Sequence, residues 1–400
     1  MNISHSNFKT GCMALSLCII MGFQACTNAS EANYRQANLA APKPEPSAVA
    51  NTSAQKKIKI ALLLDTSNSM DGLIEQAKSQ LWKFVNALSS ARYDNEKPLL
   101  ELALYEYGND GLPASEGHIK QVVNFTKDLD LVSEKLFSLR TNGGNEYCGQ
   151  VIDKSLKQLD WSGDDADLKV IFIAGNETFT QGSTPYKKAC GLANEKNVVV
   201  NTIFCGDFET GIASQWKNGA DLTQGSYMSI NQNSLTTYIN SPFDDDITKM
   251  NDKLNDTYIY YGKDGEKHKG NQLMQDKNAE VYGRSNKMER TLSKSSGFYS
   301  NESWDLVDAT KQKSFDFSKI KEEELPEEFK KMDVKQREKA IQQKSQEREL
   351  INKQIAELNQ LRLKYLATQT DKSIDDQSLD AAMLKAIRAQ ATKKGFVFNN

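Results

Sequence analysis

Histidine and cysteine, the residues that most often carry enzymatic or zinc chemistry, are scarce in this chain of 400 residues. The three histidines are His5, His118 and His268. They enter no HExxH, Ser/His/Asp or paired-histidine arrangement, so hydrolase chemistry lacks its usual parts. Cys148 with His118 is the one pairing that a nucleophile–base reading could use. His118 precedes a predicted strand whose end is expected to lie away from the loops, and the chain is read as a binder with no catalytic residues. Of six cysteines, Cys12 and Cys18 fall in the N-terminal apolar segment and Cys26 follows it. The remaining three show neither CxxC spacing nor Cys/His pairing, which argues against a zinc site. A formal net charge of -3 gives no general attraction to nucleic acid or to an anionic membrane surface. The apolar share of 38% is low for a compact globule, so part of the chain must be solvated linker or exposed helix.

What is present begins with a targeting signal. Lys9 supplies a positive charge, residues 12–23 form an apolar stretch too short to span a bilayer, and Ala25 precedes Cys26. This order resembles a bacterial lipoprotein signal, 1–25, cut before a cysteine that is then acylated. Phe23-Gln24 departs from the usual box, and ordinary signal-peptide cleavage near Ala25 is the alternative. The resemblance implies a lipid-anchored protein of the cell envelope. Thr27 stands where an inner-membrane retention signal has Asp, which favours the outer membrane of a Gram-negative bacterium. Residues 26–56, rich in Ala, Ser, Asn and Pro, read as a flexible tether.

The body opens at residue 57 with a near-continuous apolar run through Leu64, the mark of a central parallel strand covered on both faces. Strands are predicted over 99–107, 119–125, 168–174, 198–205 and 227–230. Helices are predicted after Ser69 and over 129–139, 148–159, 186–194 and 213–221. This alternation predicts an α/β fold, a Rossmann-like doubly wound and mostly parallel sheet with one antiparallel pair near its edge. In such sheets ligands sit at the carboxyl ends of strands, where Asp65-Thr66-Ser67-Asn68-Ser69 falls. A loop leaving a strand can aim residues i, i+2 and i+4 at one point. A carboxylate with two hydroxyls then offers the hard oxygen donors that Mg²⁺ prefers. Ser67 and Ser69 have an alternative reading as caps of the following helix.

Asp65-Ser67-Ser69 after a buried strand resembles the DxSxS signature of the metal-ion-dependent adhesion site in the von Willebrand factor A (vWA) domain family. The resemblance spans 57–233, with Gly143-Gly144 before a helix, Trp216, Gly219-Ala220 and Gly225-Ser226-Tyr227 as further matches. It implies binding of Mg²⁺ (or Mn²⁺) and capture of a protein partner that contributes an acidic side chain. Two departures bear on the site. Gly143-Gly144-Asn145 replaces Gly-Gly-Thr, and Ala174-Gly175-Asn176 replaces Thr-Asp-Gly. Glu146 or Glu177 could restore an oxygen ligand, Thr141 could reach in from upstream, or metal binding is lost and a metal-free scaffold surface remains. Both glutamates have a second reading as solvated acids near helix N-termini.

Beyond 233 the chain becomes mainly helical. Residues 234–325 read as a mixed, mostly helical connection, with helices over 244–258 and 267–293 and a short strand or packed loop at 303–307. Residues 326–400 read as a charged helical hairpin or short coiled coil. Its first helix, 333–369, shows an apolar face only at Ile351, Ile355, Leu358 and Tyr365, and its second covers 378–393. Among Cys148, Cys190 and Cys205 an oxidising compartment allows one disulfide, Cys148–Cys190 or Cys190–Cys205.

Overall fold

The computed structural model describes residues 55–233, 239–369 and 378–398, all within one compact unit, 53–400. The apolar run becomes β1 (Lys57–Asp65), and the DxSxS loop leads through a 3-10 turn (Asn68–Met70) into α1 (Asp71–Leu88). There follow β2 (Ala91–Arg92), β3 (Leu99–Tyr107), β4 (Ile119–Thr126), α2 (Leu129–Ser138), α3 (Cys148–Gln158), β5 (Leu168–Gly175), α4 (Tyr186–Glu195) and β6 (Val199–Cys205). Two short helices, α5 (Phe208–Ala213) and α6 (Trp216–Asp221), stand where one was predicted, and β7 (Tyr227–Ile230) completes the sheet.

The strand order is β4-β3-β1-β5-β6-β7, parallel throughout except for the β3–β4 pair at one edge. Strand alternation divides β1 between two cores. Ile58, Ile60, Leu62 and Leu64 join one face with α1 and α2, and Ala61 and Leu63 join the other with α3, α4 and Trp216. The chain moves from β1 to β3 on one side and returns to β5 on the other, so the carboxyl end of β1 lies at the topological switch point.

The helical region follows as α7 (Asp244–Asn255), α8 (Gly265–Val281), α9 (Arg284–Ser295), α10 (Leu306–Ala309), α11 (Glu327–Lys330), α12 (Val334–Gln369) and α13 (Leu379–Lys393), closed by β8 (Val397–Phe398). The helix expected over 267–293 is broken at Gly283, where φ is +99°. The segment 303–307 holds a single bridge, Tyr260 to Asp305, ahead of α10.

The hairpin expectation is corrected. The helix α12 packs on α7, α9 and α10, whereas α13 packs on α1, β5 and β7. Thus the last helix covers the same sheet face as α1, with Leu379, Met383 and Ile387 buried in that core. Polar ties fix it there: the Gln76 and Gln80 side chains accept from the Leu379 and Asp380 amides at 3.2 and 2.8 Å, and Asn201 pairs with Gln390 across 3.1 Å. The strand β8 pairs antiparallel with β2. The sheet domain is therefore completed by residues about 150 positions beyond the expected end at 233.

The disulfide expectation is also corrected: Cys148, Cys190 and Cys205 are free and buried. Cys205 belongs to one face of the sheet, and Cys148 and Cys190 to the other. On that second face Cys148 meets the Tyr107 hydroxyl at 3.9 Å while Cys190 donates to the Gly219 carbonyl at 3.5 Å.

Candidate functional site

Asp65 is the last residue of β1, paired with Tyr107 at the end of β3, and it is fully buried. Its Oδ1 accepts the Ser67 amide at 2.7 Å, closing the loop tightly on the carboxylate. Its Oδ2 has no hydrogen-bond donor. The Ser67 and Ser69 hydroxyls lie 3.2 Å apart. Neither the 3-10 turn nor α1 has a side-chain cap bond at its start, so the two hydroxyls are not spent as helix caps.

The two glutamates separate. Glu146 is buried, with its amide donating to Gln181 Oε1 at 2.6 Å, and its carboxyl reaches both Asp65 and Ser67. Burial, then the hydrogen bond and charge of Glu146, pushes the Asp65 carboxyl well above the usual carboxylate range. Burial likewise raises Glu146. Two acids desolvated against each other oppose each other's ionisation. Glu177 is exposed; its amide donates to Glu146 Oε2 at 3.3 Å, its carbonyl accepts from Trp216 Nε1 at 2.7 Å, and its side chain acts on Glu146 through charge alone. The expectation that its side chain could complete the site is thus not met. Asn176, one position earlier, takes that place, its Nδ2 donating to Ser69 Oγ at 3.0 Å. Thr141 is engaged elsewhere, its hydroxyl donating to Asp71.

In the sequence Asn176 stands out only as a departure from the family pattern. The signal available was its position just beyond the carboxyl end of the strand beside β1. Gln232 was missed as well; it follows β7 and donates from Nε2 to the Ser69 carbonyl at 2.9 Å.

His118 also differs from expectation. Because β4 runs antiparallel, its first residue lies beside the end of β3, and the His118 carbonyl accepts the Gly108 amide at 3.1 Å. The ring stands 6.3 Å from Tyr147 and its Nδ1 3.8 Å from Asp110. Cys148, whose thiol burial drives well above its usual range, is bonded to Tyr107 instead.

Two glycines let the loops close. Gly108 has φ +76°, and a Cβ there would fall 2.6 Å from Asp65 Oδ1 and 2.9 Å from Glu146 Cγ. A Cβ on Gly144 would fall 2.5 Å from the Gly108 carbonyl oxygen. Gly108→Ala is therefore expected to destabilise the fold by about 1–3 kcal/mol and to displace the Asp65 and Glu146 carboxyls. Chemical denaturation checks the first effect, and an unchanged melting temperature would refute the close packing described.

The donor set is two carboxyls, two hydroxyls and one amide, all oxygen-bearing and converging at the carboxyl ends of β1 and β5. Its hardness suits a small divalent cation, and the unpartnered Asp65 Oδ2 is the kind of buried atom that such an ion satisfies. Among the described residues no group of three or more His, Cys, Asp or Glu side chains gathers around a common point. The geometry thus defines a doubly wound α/β domain with a cluster of oxygen-bearing side chains at its switch point.

No family model matches this sequence, and no curated protein sequence matches it. Solved structures resemble part of the chain. The conserved hypothetical protein BatB from Bacteroides thetaiotaomicron is 15% identical with a TM-score of 0.33, over 43% of this chain and 90% of that one. The SpRpn10 VWA domain is 14% identical with a TM-score of 0.33, over 43% and 87%. An aerotolerance-related membrane protein from Bacteroides fragilis is 15% identical with a TM-score of 0.30, over 44% and 93%. Likenesses this partial carry no argument about function.

Proposed function

We propose that the chain is a vWA-type protein-interaction module of the cell envelope, which captures a protein partner through Mg²⁺ (or Mn²⁺) at the DxSxS cluster. The observation that supports this most is the fully buried Asp65, whose Oδ2 lacks a hydrogen-bond partner and whose carboxyl meets that of Glu146. An unpaired charge there is costly. Asp65, Glu146, Ser67 and Ser69 would hold the ion, with Asn176 orienting Ser69. When bound, the ion would act as a Lewis acid toward one oxygen of the partner. The chain's own residues supply the rest: Ser67 pins Asp65 through its amide, Gln232 holds the Ser69 backbone, and Gly108 admits both carboxyls.

An ion that binds only the folded state stabilises it by about 2.7 kcal/mol at a hundredfold excess over Kd. Millimolar Mg²⁺ or Mn²⁺ is therefore expected to raise the melting temperature of the full chain by a few degrees. Ser67→Ala combined with Ser69→Ala should abolish the rise and leave the fold intact, because Ser69 is exposed and Ser67, though buried, lies in the loop after β1 and not in a strand or helix. If calorimetry finds no binding of either ion at millimolar concentration, a metal-free scaffold surface replaces this reading.

Anchoring is proposed through acylation of Cys26, which lies outside the described residues. Among those that are described, no helix is long and apolar enough to cross a membrane. Cys26→Ser is expected to move the protein from the membrane to the soluble fraction. An unmodified peptide spanning Ala25-Cys26, detected by mass spectrometry, would overturn the anchor.

A further inference from the structure

We infer that Lys294 and Asn251 form an intramolecular amide bond, a covalent brace between α9 and α7 with Asp276 as its catalytic carboxylate. The inference does not depend on the metal reading. Lys294 of α9, Asn251 of α7 and Asp276 of α8 are all buried. Lys294 Nζ donates to Asn251 Oδ1 at 2.9 Å and to Asp276 Oδ2 at 2.9 Å. Asn251 Nδ2 donates to the same Asp276 oxygen at 2.9 Å. One carboxylate oxygen therefore touches both the amine that would attack and the nitrogen that would leave. An amine already bonded to Oδ1 needs only a small tilt to face the adjoining Cγ.

The surroundings hold this arrangement. Arg290 Nε occupies Asp276 Oδ1 at 2.9 Å, leaving Oδ2 to Lys294 and the amides. Asn255, half-buried at the end of α7, accepts from Lys294 and donates to Asp276 Oδ2 at 2.9 Å. It aligns both groups, but Asn251, at 2% exposed, is the amide better shielded from water. Burial pushes the Lys294 amine down to about 8, so a fraction of it is the uncharged nucleophile at neutral pH.

In the reaction the Lys294 lone pair attacks Asn251 Cγ, and a proton passes from Nζ through Asp276 Oδ2 to Asn251 Nδ2. The Cγ–Nδ2 bond breaks, ammonia leaves, and the new amide joins Nζ to Cγ. No oxidant, reductant or cofactor is required. Holding the groups in contact replaces the encounter that makes aminolysis of an amide slow in solution. The structure shows the cluster before this bond, when Lys294 is still a cation beside Asp276, and the ion-pair energetics of the cluster belong to that unlinked state.

The test is mass spectrometry of the full chain, kept folded, then denatured and digested. The peptides that carry Asn251 and Lys294 should be recovered mostly joined, with their combined mass short by one ammonia. Fragmentation should place the bond at those two side chains. Recovery of the two peptides wholly unjoined would overturn the inference, and so would a bond placed at Asn255. An Asn251 peptide that has lost ammonia but is joined to nothing is a succinimide, which also overturns it. Asn251→Ala should abolish the joined pair. In Asp276→Asn the bond should form about a hundredfold more slowly, and an unchanged rate in the folded variant would overturn the role of Asp276. Should either variant fail to fold, the wild-type digest alone decides.

Discussion

Deleting residues 378–400 is expected to leave a chain that does not reach its native fold, although every residue of the DxSxS cluster remains. Leu379, Met383, Ile387 and Phe396 are each at most 5% exposed, and together they cover the sheet face shared with α1. Burying a side chain of this size contributes about 1.5–3 kcal/mol, so four amount to roughly 6–12 kcal/mol. A domain's whole stability is about 5–15 kcal/mol. The deletion also removes the Asn201–Gln390 pair, which ties the last helix to β6. Circular dichroism and dye binding should report lost tertiary structure and exposed apolar surface. A cooperative melt within a few degrees of the full chain would show that α13 is dispensable. The milder Ile387→Ala should cost about 2–5 kcal/mol. A fragment 57–233 has the same defect, which is why the metal experiments above use the full chain.

Replacing Arg290 is expected to have the next largest effect. Arg290 is fully buried, bonded to Asp130 at 2.7 Å and to Asp276 at 2.9 Å, and its guanidinium lies 4.4 Å from the Trp82 ring centre. Lys294 reaches Asp276 at 2.9 Å and Tyr299 donates to Asp130 at 2.5 Å. The network therefore joins α2, α8 and α9 above α1, the helix that follows the DxSxS loop. Arg290→Met takes the guanidinium from buried Asp130 and leaves Asp276 with Lys294 as its cation, and breaking a buried pair on one side costs about 3–5 kcal/mol. Arg290→Lys should rescue little, because a point charge cannot serve both acids as the planar fork does.

Acid should act on the same network. Burial alone would raise Asp276, but the charges of Lys294 and Arg290, with amide bonds from Asn251 and Asn255, hold it well below the usual range. A carboxyl whose folded pKa is depressed contributes stability that is complete above its unfolded value, about 3.9, and lost as pH falls through that value toward the folded one. Denaturation midpoints should therefore drop below about pH 4 in the wild type and drop less in Asp276→Asn. An Arg290→Met protein within 1 kcal/mol of wild type would refute the network's role.

The sheet and the loop were legible in the sequence for local reasons. A strand covered on both faces must be apolar throughout, as Ile58 to Leu64 nearly are, and one reading sufficed to place Asp65 at its carboxyl end. Covalent spacing then put Ser67 and Ser69 beside it. The α12 seam was legible only in part. Its buried positions are Ile341, Arg348, Ile351, Ile355 and Arg362, a regular heptad-like series in which two members are arginines. Counting apolar residues passed over them. Arg348 is buried through its bonds to Asp305 at 2.7 Å and Asp308 at 3.0 Å, and Arg362 through Asp244 at 3.1 Å and Glu289 at 3.2 Å.

By itself the sequence determined the sheet strands, their alternation with helices and the i, i+2, i+4 spacing of the loop after β1, because each depends on neighbours within a few residues. Only the tertiary structure decided which distant groups complete them. Glu146 turns inward and Glu177 outward, although both follow glycine-containing loops at the same end of the sheet. His118 lies beside the site because β4 reverses direction. The last helix closes the sheet face that opened with α1, some 300 residues earlier. Periodicity reports which side of an element is apolar, but it carries no information about which remote surface that side will meet.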